Sequence, residues 1–165
     1  VYSLRHFQLR LEEEVSRSRR YGQPVALLIL DLDHFKTVND RYGHPAGDVA
    51  LREFGARLRA GLRSADVPCR YGGEEFGVIL TNTDGPGALI VADRLRAAIA
   101  AAPIDLGDGV ALTLTVSVGV ASYPRDAATV RDLVGRADQA MYCAKQAGRN
   151  RVCDASSAAD ESAAS

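Results

Sequence analysis

The chain has few features that would place it among secreted, zinc-binding or membrane proteins. Its three cysteines, Cys69, Cys143 and Cys153, include no Cys-x-x-Cys pair, which argues against a disulfide framework or a structural zinc site and favours a reducing cytoplasm. The net charge of −1 gives no general attraction to nucleic acid. With no signal peptide and no apolar run near 18 residues, we expect a cytoplasmic segment without membrane contact, whose full-length protein could be anchored upstream.

The hydrophobic pattern predicts one α+β domain over residues 1–153 and a disordered tail over 154–165, which has no large apolar residue. A chain of 165 residues can bury enough surface for one self-sufficient core. We expect helices over 5–21, 34–41, 47–62, 84–101 and 129–146, and strands over 25–31, 67–71, 76–80, 112–121 and 151–153. This order implies helices flanking a single central sheet that is mixed or mainly antiparallel.

A continuous apolar run, residues 25–30, ends abruptly in Asp31-Leu32-Asp33. Such a run is typical of a strand buried on both faces, and its end would bring Asp31 to the rim of the sheet, where a carboxylate can face a cation. If the strand stays extended, Asp31 and Asp33 lie on the same face. We interpret Asp31 as a metal ligand, whereas a helix cap is the preferred interpretation of Asp33.

Gly72-Gly73-Glu74-Glu75 lies between two strand-like runs. The glycine pair predicts a tight hairpin turn with positive φ angles, which would let a polyphosphate approach bare backbone. The two carboxylates after it suit Mg²⁺, which binds one or two protein carboxylates and completes its shell with water and phosphate oxygens. An ordinary solvated hairpin tip is the alternative.

The segment 34–48 is rich in groups that recognise nucleotides. Lys36 can pair with a phosphate, and Asn39 offers both a donor and an acceptor. Asp48 can accept two parallel bonds from a guanine edge. Alternatively, Asn39 and Gly43 could end a short helix and Asp48 could add charge to the first turn of the next helix.

Together these motifs resemble the GGDEF domains, diguanylate cyclases that condense two GTP molecules into cyclic di-GMP. The similarity covers nearly all of residues 1–153 and rests on ordered motifs at residues 31–36, 39–40, 42–44, 47–48, 72–76, 116–121, 136–142 and 144–150. The resemblance implies the palm-like fold shared with class III nucleotidyl cyclases. It also implies that catalysis needs a homodimer, with each domain holding one GTP, and that a sensory domain lies upstream.

By this resemblance, Asp31, the carbonyl of Leu32 and Glu74 would bind Mg²⁺ or Mn²⁺. Glu74 would also act as general base, and Glu75 would support the metal pair. The predicted substrate-binding residues are His34, Phe35, Lys36, Asn39, His44, Asp48, Gly72, Gly73, Lys145 and Arg149. Lys145 and Arg149 are four residues apart, so a continuing helix would place them on one face to reach the terminal phosphates. A basic helix C-terminus is the alternative explanation of this pair.

Arg63-Ser64-Ala65-Asp66 precedes the hairpin at the position where many of these cyclases carry an Arg-x-x-Asp site for inhibitory product. The resemblance implies that Arg63 and Asp66 bind cyclic di-GMP, with Arg94 as a second arginine. A surface ion pair is the alternative.

One departure from the family pattern is at the start of the chain. The family usually opens with Asp-x-Leu-Thr-Gly-Leu-x-Asn-Arg, but most of this turn is missing, and Ser3 and Leu4 stand where asparagine and arginine are expected. We expect this departure to affect how the domain is coupled to a preceding segment more than it affects the catalytic chemistry.

Three other functions compete with a GTP cyclase. A catalytically silent module that responds to GTP or cyclic di-GMP would keep Arg63 and Asp66 but would not need Asp31, Glu74 and Glu75. An ATP-using cyclase would not need Asp48 as a guanine reader. A purely structural domain would not need these separate polar groups at all.

Overall fold

The computed structural model describes residues 3–157, which form a central sheet with helices on both faces. The five strands of this sheet are β1 Val25–Leu32, β2 Val67–Arg70, β3 Glu75–Leu80, β6 Val116–Tyr123 and β7 Arg151–Asp154. They lie in the order β2-β3-β1-β6-β7, with all neighbours antiparallel except the parallel pair β6 and β7. The helices are α1 Leu4–Tyr21, α2 Phe35–Tyr42, α3 His44–Ala60, α4 Gly85–Ala100 and α5 Val130–Gln146. The predicted α+β class is confirmed.

β1 is the middle strand, and all eight of its residues are buried. Successive side chains of a strand point to opposite faces. Leu28 and Leu30 therefore pack with α2, α3 and α4 in one core, whereas Leu27 and Ile29 pack with α1 and α5 in the other. By the same alternation, Asp31 points toward the α1 and α5 side of the sheet.

Residues 104–115 differ from the prediction. The expected strand over 112–121 is wrong in its first part, because β4 Ile104–Gly107 and β5 Val110–Leu112 form a separate two-stranded sheet. β6 starts only at Val116. Alternating hydrophobicity continues through both strands, so it gave no sign of the break between them.

The ordered chain extends beyond the predicted boundary at residue 153. Asp154 belongs to β7, and Ala155 is buried in the core formed with α1 and α5. The disorder expected at 154 and 155 is therefore wrong, and residues 158–165 lie outside the described part of the chain. Among residues 3–157, no helix combines the length and apolar character needed to cross a membrane.

A sharp turn at Gly43 joins α2 to α3. Its φ of 88° is in a region that L side chains rarely adopt, so glycine is required where one helix stops and the next begins at once. This confirms that Gly43 ends a short helix. Because α3 begins at His44, Asp48 lies beyond its first turn, which excludes the alternative role for Asp48 as a first-turn charge.

Candidate active site

The acidic residues of β1 and β3 meet at one end of the sheet. Asp31 is the direct register partner of Glu75, and the amide of Leu32 donates a 3.2 Å hydrogen bond to the carbonyl of Glu74. Asp31 is buried, whereas Glu74 and Glu75 are partly exposed. The antiparallel pairing therefore brings Asp31 next to two carboxylates that lie more than 40 residues further along the sequence.

These carboxylates perturb one another. Burial raises the pKa of Asp31, and Glu74 and Asp33 raise it further, against the opposing effect of Lys145. Burial also raises the pKa of Glu75, with added repulsion from Asp31, Asp138 and Glu74. A cation placed among these groups would relieve the repulsion.

Lys145, in the last turn of α5, supplies positive charge at this acidic edge. Its Nζ lies 2.9 Å from Asp31 Oδ1 and 3.9 Å from Asp33 Oδ1. Asp31 Oδ1 thus has a close ion-pair partner, although it has no hydrogen-bond partner of good geometry among the described residues. Asp31 therefore lies at the rim of the sheet beside an ammonium group, and its role as a metal ligand stays a prediction.

The oxygen donors at this edge fit a hard divalent cation. The carboxylates of Asp31, Glu74 and Glu75 repel one another, so a bound cation would stabilise them. Their oxygen atoms are also the type of ligand that Mg²⁺ and Mn²⁺ prefer. Among residues 3–157, no group of three or more aspartate, glutamate, histidine or cysteine side chains is arranged so that it could hold a metal ion as it stands. A divalent cation bound to Asp31 Oδ1 would compete with the ammonium of Lys145, which lies 2.9 Å from that oxygen.

The prediction that Asp33 caps a helix is wrong. His34 is the N-cap of α2, with φ of 57° and no side-chain cap bond. The carboxylate of Asp33 instead accepts hydrogen bonds from Thr115 Oγ1, Ser117 Oγ and the amide of Asn150. The expectation that Asp31 and Asp33 share a face is confirmed, since both approach Lys145.

The hairpin tip also differs from the prediction, because Gly72 and Gly73 are not among the residues with positive φ. Arg70 holds this turn: its guanidinium donates to the carbonyls of Gly72 and Gly73, the shortest contact being 2.7 Å. A β-carbon on Gly73 would meet nothing within 4 Å. Gly73 therefore leaves open space above the backbone, and neither glycine relieves a strained φ.

A cleft of about 460 Å³ joins the hairpin tip to α2 and α3. Its lining combines residues predicted for substrate binding or catalysis with two that were not predicted for the site. The lining residues are Phe35, Lys36, Asn39, His44, Asp48, Leu51, Arg70, Gly73 and Glu74. The unpredicted members are Leu51 and Arg70. The position of Arg70 next to the glycine pair was the sequence signal available for it. His34 is exposed beside this cleft but does not line it.

Arg149 is not on the same helical face as Lys145, contrary to the prediction, because α5 ends at Gln146. It lies in the following loop with φ of 64°, and its amide donates to the carbonyl of Ala144. The loop returns to β7, the neighbour of β6 in the sheet. Lys145 alone occupies the basic last turn of α5.

A second cluster forms at the start of β2. Arg63 binds Asp66 through two of its nitrogens, at 3.0 and 3.3 Å, and donates to the carbonyl of Thr81 at 2.9 Å. The hydrogen bond to Asp66 raises the pKa of Arg63 further above its ordinary value. Arg94 donates to the carbonyl of Gly61 at 2.8 Å, so α4 brings it close to this loop. Both arginines are exposed.

This geometry defines an α+β domain whose acidic sheet edge borders a polar cleft suited to a nucleotide. The profile of the family described as "Diguanylate cyclase, GGDEF domain" matches residues 1–151. The chain belongs to this family of nucleotidyltransferases.

Three relatives support the assignment. Diguanylate cyclase A of Treponema denticola is 40% identical over 153 residues, which cover 90% of this chain and 41% of that protein. The crystal structure of the GGDEF domain of TpbB, also called YfiN, from Pseudomonas aeruginosa has a TM-score of 0.91 at 37% identity and covers 93% of this chain and 96% of that one. The active GGEEF domain of a diguanylate cyclase from Vibrio cholerae has a TM-score of 0.85 at 31% identity, covering 91% and 94%.

The chain spans about a third to two fifths of the length of the curated relatives it matches. Those relatives therefore contain segments to which nothing in residues 1–165 corresponds.

Proposed function

We propose that the chain is an active diguanylate cyclase domain that joins two GTP molecules into cyclic di-GMP and releases two pyrophosphates. The observation that supports this most is the shared cleft, in which Glu74 lies with Asn39 and Asp48. It places a carboxylate suited to proton transfer beside groups that can read a guanine. The Vibrio cholerae domain, which is described as active, is named for the same Gly-Gly-Glu-Glu-Phe motif.

In this proposal, α2 and α3 hold the base and ribose while the acidic edge meets the phosphates. Asn39 and Asp48 bind the guanine, and His44 contributes to the ribose side. Lys36 and the amides near His34 and Phe35 bind phosphate oxygens. Gly72 and Gly73 complete the phosphate site, and the open space at Gly73 lets a phosphate approach the backbone. Lys145 and Arg149 bind the terminal phosphates from the opposite side.

The divalent cations would be held by Asp31, the carbonyl of Leu32 and Glu74, with Glu75 in support; Mg²⁺ fits, and Mn²⁺ is an alternative. When bound, they neutralise charge on the attacking and leaving oxygens. Glu74 accepts the proton of the ribose 3′-hydroxyl, whose oxygen bonds to the α-phosphorus of the second GTP as the bond to pyrophosphate breaks. Lys145 leaves Asp31 and pairs with the leaving phosphates.

One chain offers one set of guanine-reading side chains at the cleft, so we infer that it holds one GTP. Two chains must then face each other in an antiparallel homodimer, each contributing half of the reacting atoms. Positioning of the two substrates supplies much of the rate enhancement in this arrangement. An upstream sensory domain would control how often two such domains meet.

Arg63, Asp66 and Arg94 are proposed to bind cyclic di-GMP and inhibit the enzyme. The support is that the two arginines are exposed on adjoining elements, α4 and the loop before β2. Arg63 is already oriented by Asp66 and Thr81, so little side-chain freedom remains to be lost when it binds a phosphate.

The test is production of cyclic di-GMP by the purified domain with GTP and Mg²⁺, alone and fused to a dimerising coiled coil. We expect Glu74→Gln to lower kcat by roughly 10²- to 10⁴-fold, as for loss of a general base. Glu12→Gln, the same change on the exposed face of α1, is the matched control and should leave kcat unchanged. Nucleotide binding without product from the forced dimer would instead favour the silent regulatory module.

A further inference from the structure

Asp33 is a buried carboxylate that the proposed reaction does not use. It lies just after β1 and is 3% exposed. Its Oδ1 accepts from Ser117 Oγ at 2.6 Å, and its Oδ2 accepts from Thr115 Oγ1 at 2.8 Å and from the amide of Asn150 at 3.0 Å. The amide of Asp33 also donates to the carbonyl of Thr115 at 2.9 Å. One side chain therefore ties the end of β1 to the start of β6 and to the loop before β7.

Hydrogen bonds within the domain already use most of the acceptor capacity of this carboxylate. A carboxylate offers about four lone-pair directions. Thr115 and Asn150 use those of Oδ2, while Ser117 and the ammonium of Lys145, at 3.9 Å, are close to Oδ1. Asp33 is therefore suited to orienting other groups rather than to direct ligation.

The loop that Asp33 holds has an unfavourable backbone. Gly148, Arg149 and Asn150 have φ of 124°, 64° and 45° in succession. Two consecutive non-glycine residues in the left-handed region persist only where neighbouring groups hold them. Here the amide of Arg149 binds the carbonyl of Ala144, and the amide of Asn150 binds Asp33.

The same carboxylate also faces Lys145. Asp31 is its nearer partner, at 2.9 Å. When Asp31 turns to a cation, as the proposed function requires, Asp33 stays within 3.9 Å of the ammonium and, together with Glu75, supplies the negative charge that keeps it at the acidic edge. Both cations assigned to the terminal phosphates thus depend on Asp33, Lys145 through charge and Arg149 through the loop.

We propose that Asp33 is a positioning residue that presents Lys145 and Arg149 to the terminal phosphates of the nucleotide. It touches neither substrate nor metal; it fixes the left-handed loop through the Asn150 amide and retains the lysine by charge. This inference rests on the proposed function, because it assumes that the cleft binds GTP. Its specific consequence is a selective contribution to binding of a triphosphate over a monophosphate.

The test compares the affinities of two probes that cannot react, α,β-methylene-GTP and GMP, measured by titration calorimetry with Mg²⁺. We expect Asp33→Ala to weaken binding of the triphosphate analogue at least tenfold while binding of GMP changes less than twofold. Asp108→Asn, which removes an exposed carboxylate from the β4-β5 turn, is the control for net charge and should alter neither affinity. Equal weakening for both probes, or no weakening, would overturn the proposal.

A double-mutant cycle with Arg149→Ala separates positioning from general loss of structure. If Asp33 acts through this arginine, the double variant loses less triphosphate affinity than the two single changes multiplied together. Full multiplicativity would refute the route through Arg149. If Asp33→Ala fails to fold, Asp33→Asn is combined with Lys145→Ala instead, since its carbonyl oxygen can still accept from Asn150 while the charge facing Lys145 is removed. In that cycle, full multiplicativity would refute the route through Lys145.

These outcomes are distinct from those of the cyclase assay, because binding preference does not need turnover or a dimer. A wild-type domain that prefers the triphosphate but makes no cyclic di-GMP would refute the proposed activity and leave the role of Asp33 supported if the variant loses the preference. A wild-type domain without this preference would refute the role of Asp33 even if it made product.

Discussion

Gly119→Ala provides a direct test of how β6 packs on α5. Gly119 lies within β6, opposite Ile29 of β1 and Cys153 of β7. A β-carbon there would lie 2.1 Å from the carbonyl oxygen of Ala137 and 2.2 Å from the amide nitrogen of Met141. Both atoms belong to the backbone of α5, so rotation of a side chain cannot relieve the clash.

The size of the effect follows from these distances. Ordinary contact begins near 3.4 Å, so the helix must move away from the sheet by about 1.3 Å. Overpacking in a core typically costs 1–3 kcal/mol, and a backbone clash belongs at the upper end, about 3 kcal/mol. At roughly 2–4 °C per kcal/mol for a domain of this size, we expect Tm to fall by about 6–12 °C.

The assay is thermal unfolding followed by circular dichroism, with Gly135→Ala as the matched control. Gly135 is an exposed residue within α5, where a new β-carbon would meet nothing within 4 Å. Alanine should therefore stabilise the helix by about 0.5–1 kcal/mol and raise Tm slightly. The same Tm for Gly119→Ala and wild type would refute the close packing of β6 on α5, which also sets the position of Lys145.

Three further predictions concern the cleft, the acidic edge and the second arginine cluster. Gly47→Ala would place a β-carbon 1.9 Å from Asn39 Oδ1, so we expect the KM for GTP to rise with little change in kcat; an unchanged KM would contradict a base-reading role for Asn39. Burial and neighbouring acids raise the pKa of Glu75, so its ionised form destabilises the fold. Glu75→Gln should therefore raise Tm at pH 7, and this gain should disappear as the pH falls below the ordinary pKa of a glutamate; a lower Tm at pH 7 would count against it. Arg94→Ala leaves the Arg63 ion pair in place and should raise the cyclic di-GMP concentration for half-inhibition about tenfold, as for loss of one charge-assisted contact; unaltered inhibition would remove Arg94 from the product site.

Much of the fold was predictable because its signals are local. The apolar run of β1 and the helical spacing of Leu51, Phe54 and Leu58 are properties of adjacent residues, and the structure confirms them as a buried strand and one buried helix face. The hairpin of β4 and β5 was missed because its alternation runs on into β6. Where a strand ends depends on which neighbouring strand its backbone pairs with, and alternating hydrophobicity alone does not specify that neighbour.

The candidate site was predictable as a set of residue types but not as an arrangement. Ordered motifs identified Asp31, Glu74 and Lys145, and the structure gathers them at one sheet edge. The spacing of Lys145 and Arg149 predicted that both lie on one face of a helix, whereas α5 ends at Gln146, before the chain reaches Arg149.

The sequence alone was sufficient to predict the fold class, the family, and the order of the helices and strands except β4 and β5, since each depends on residues within one segment or on ordered motifs. Only the tertiary structure decided what Asp33 binds, which cation faces Asp31, and why the hairpin tip is open. Those features join groups from distant segments, Asp33 to Asn150 and Asp31 to Lys145. Contacts of this kind exist only after the sheet has paired its strands, because burial and charge then select partners that no local pattern specifies.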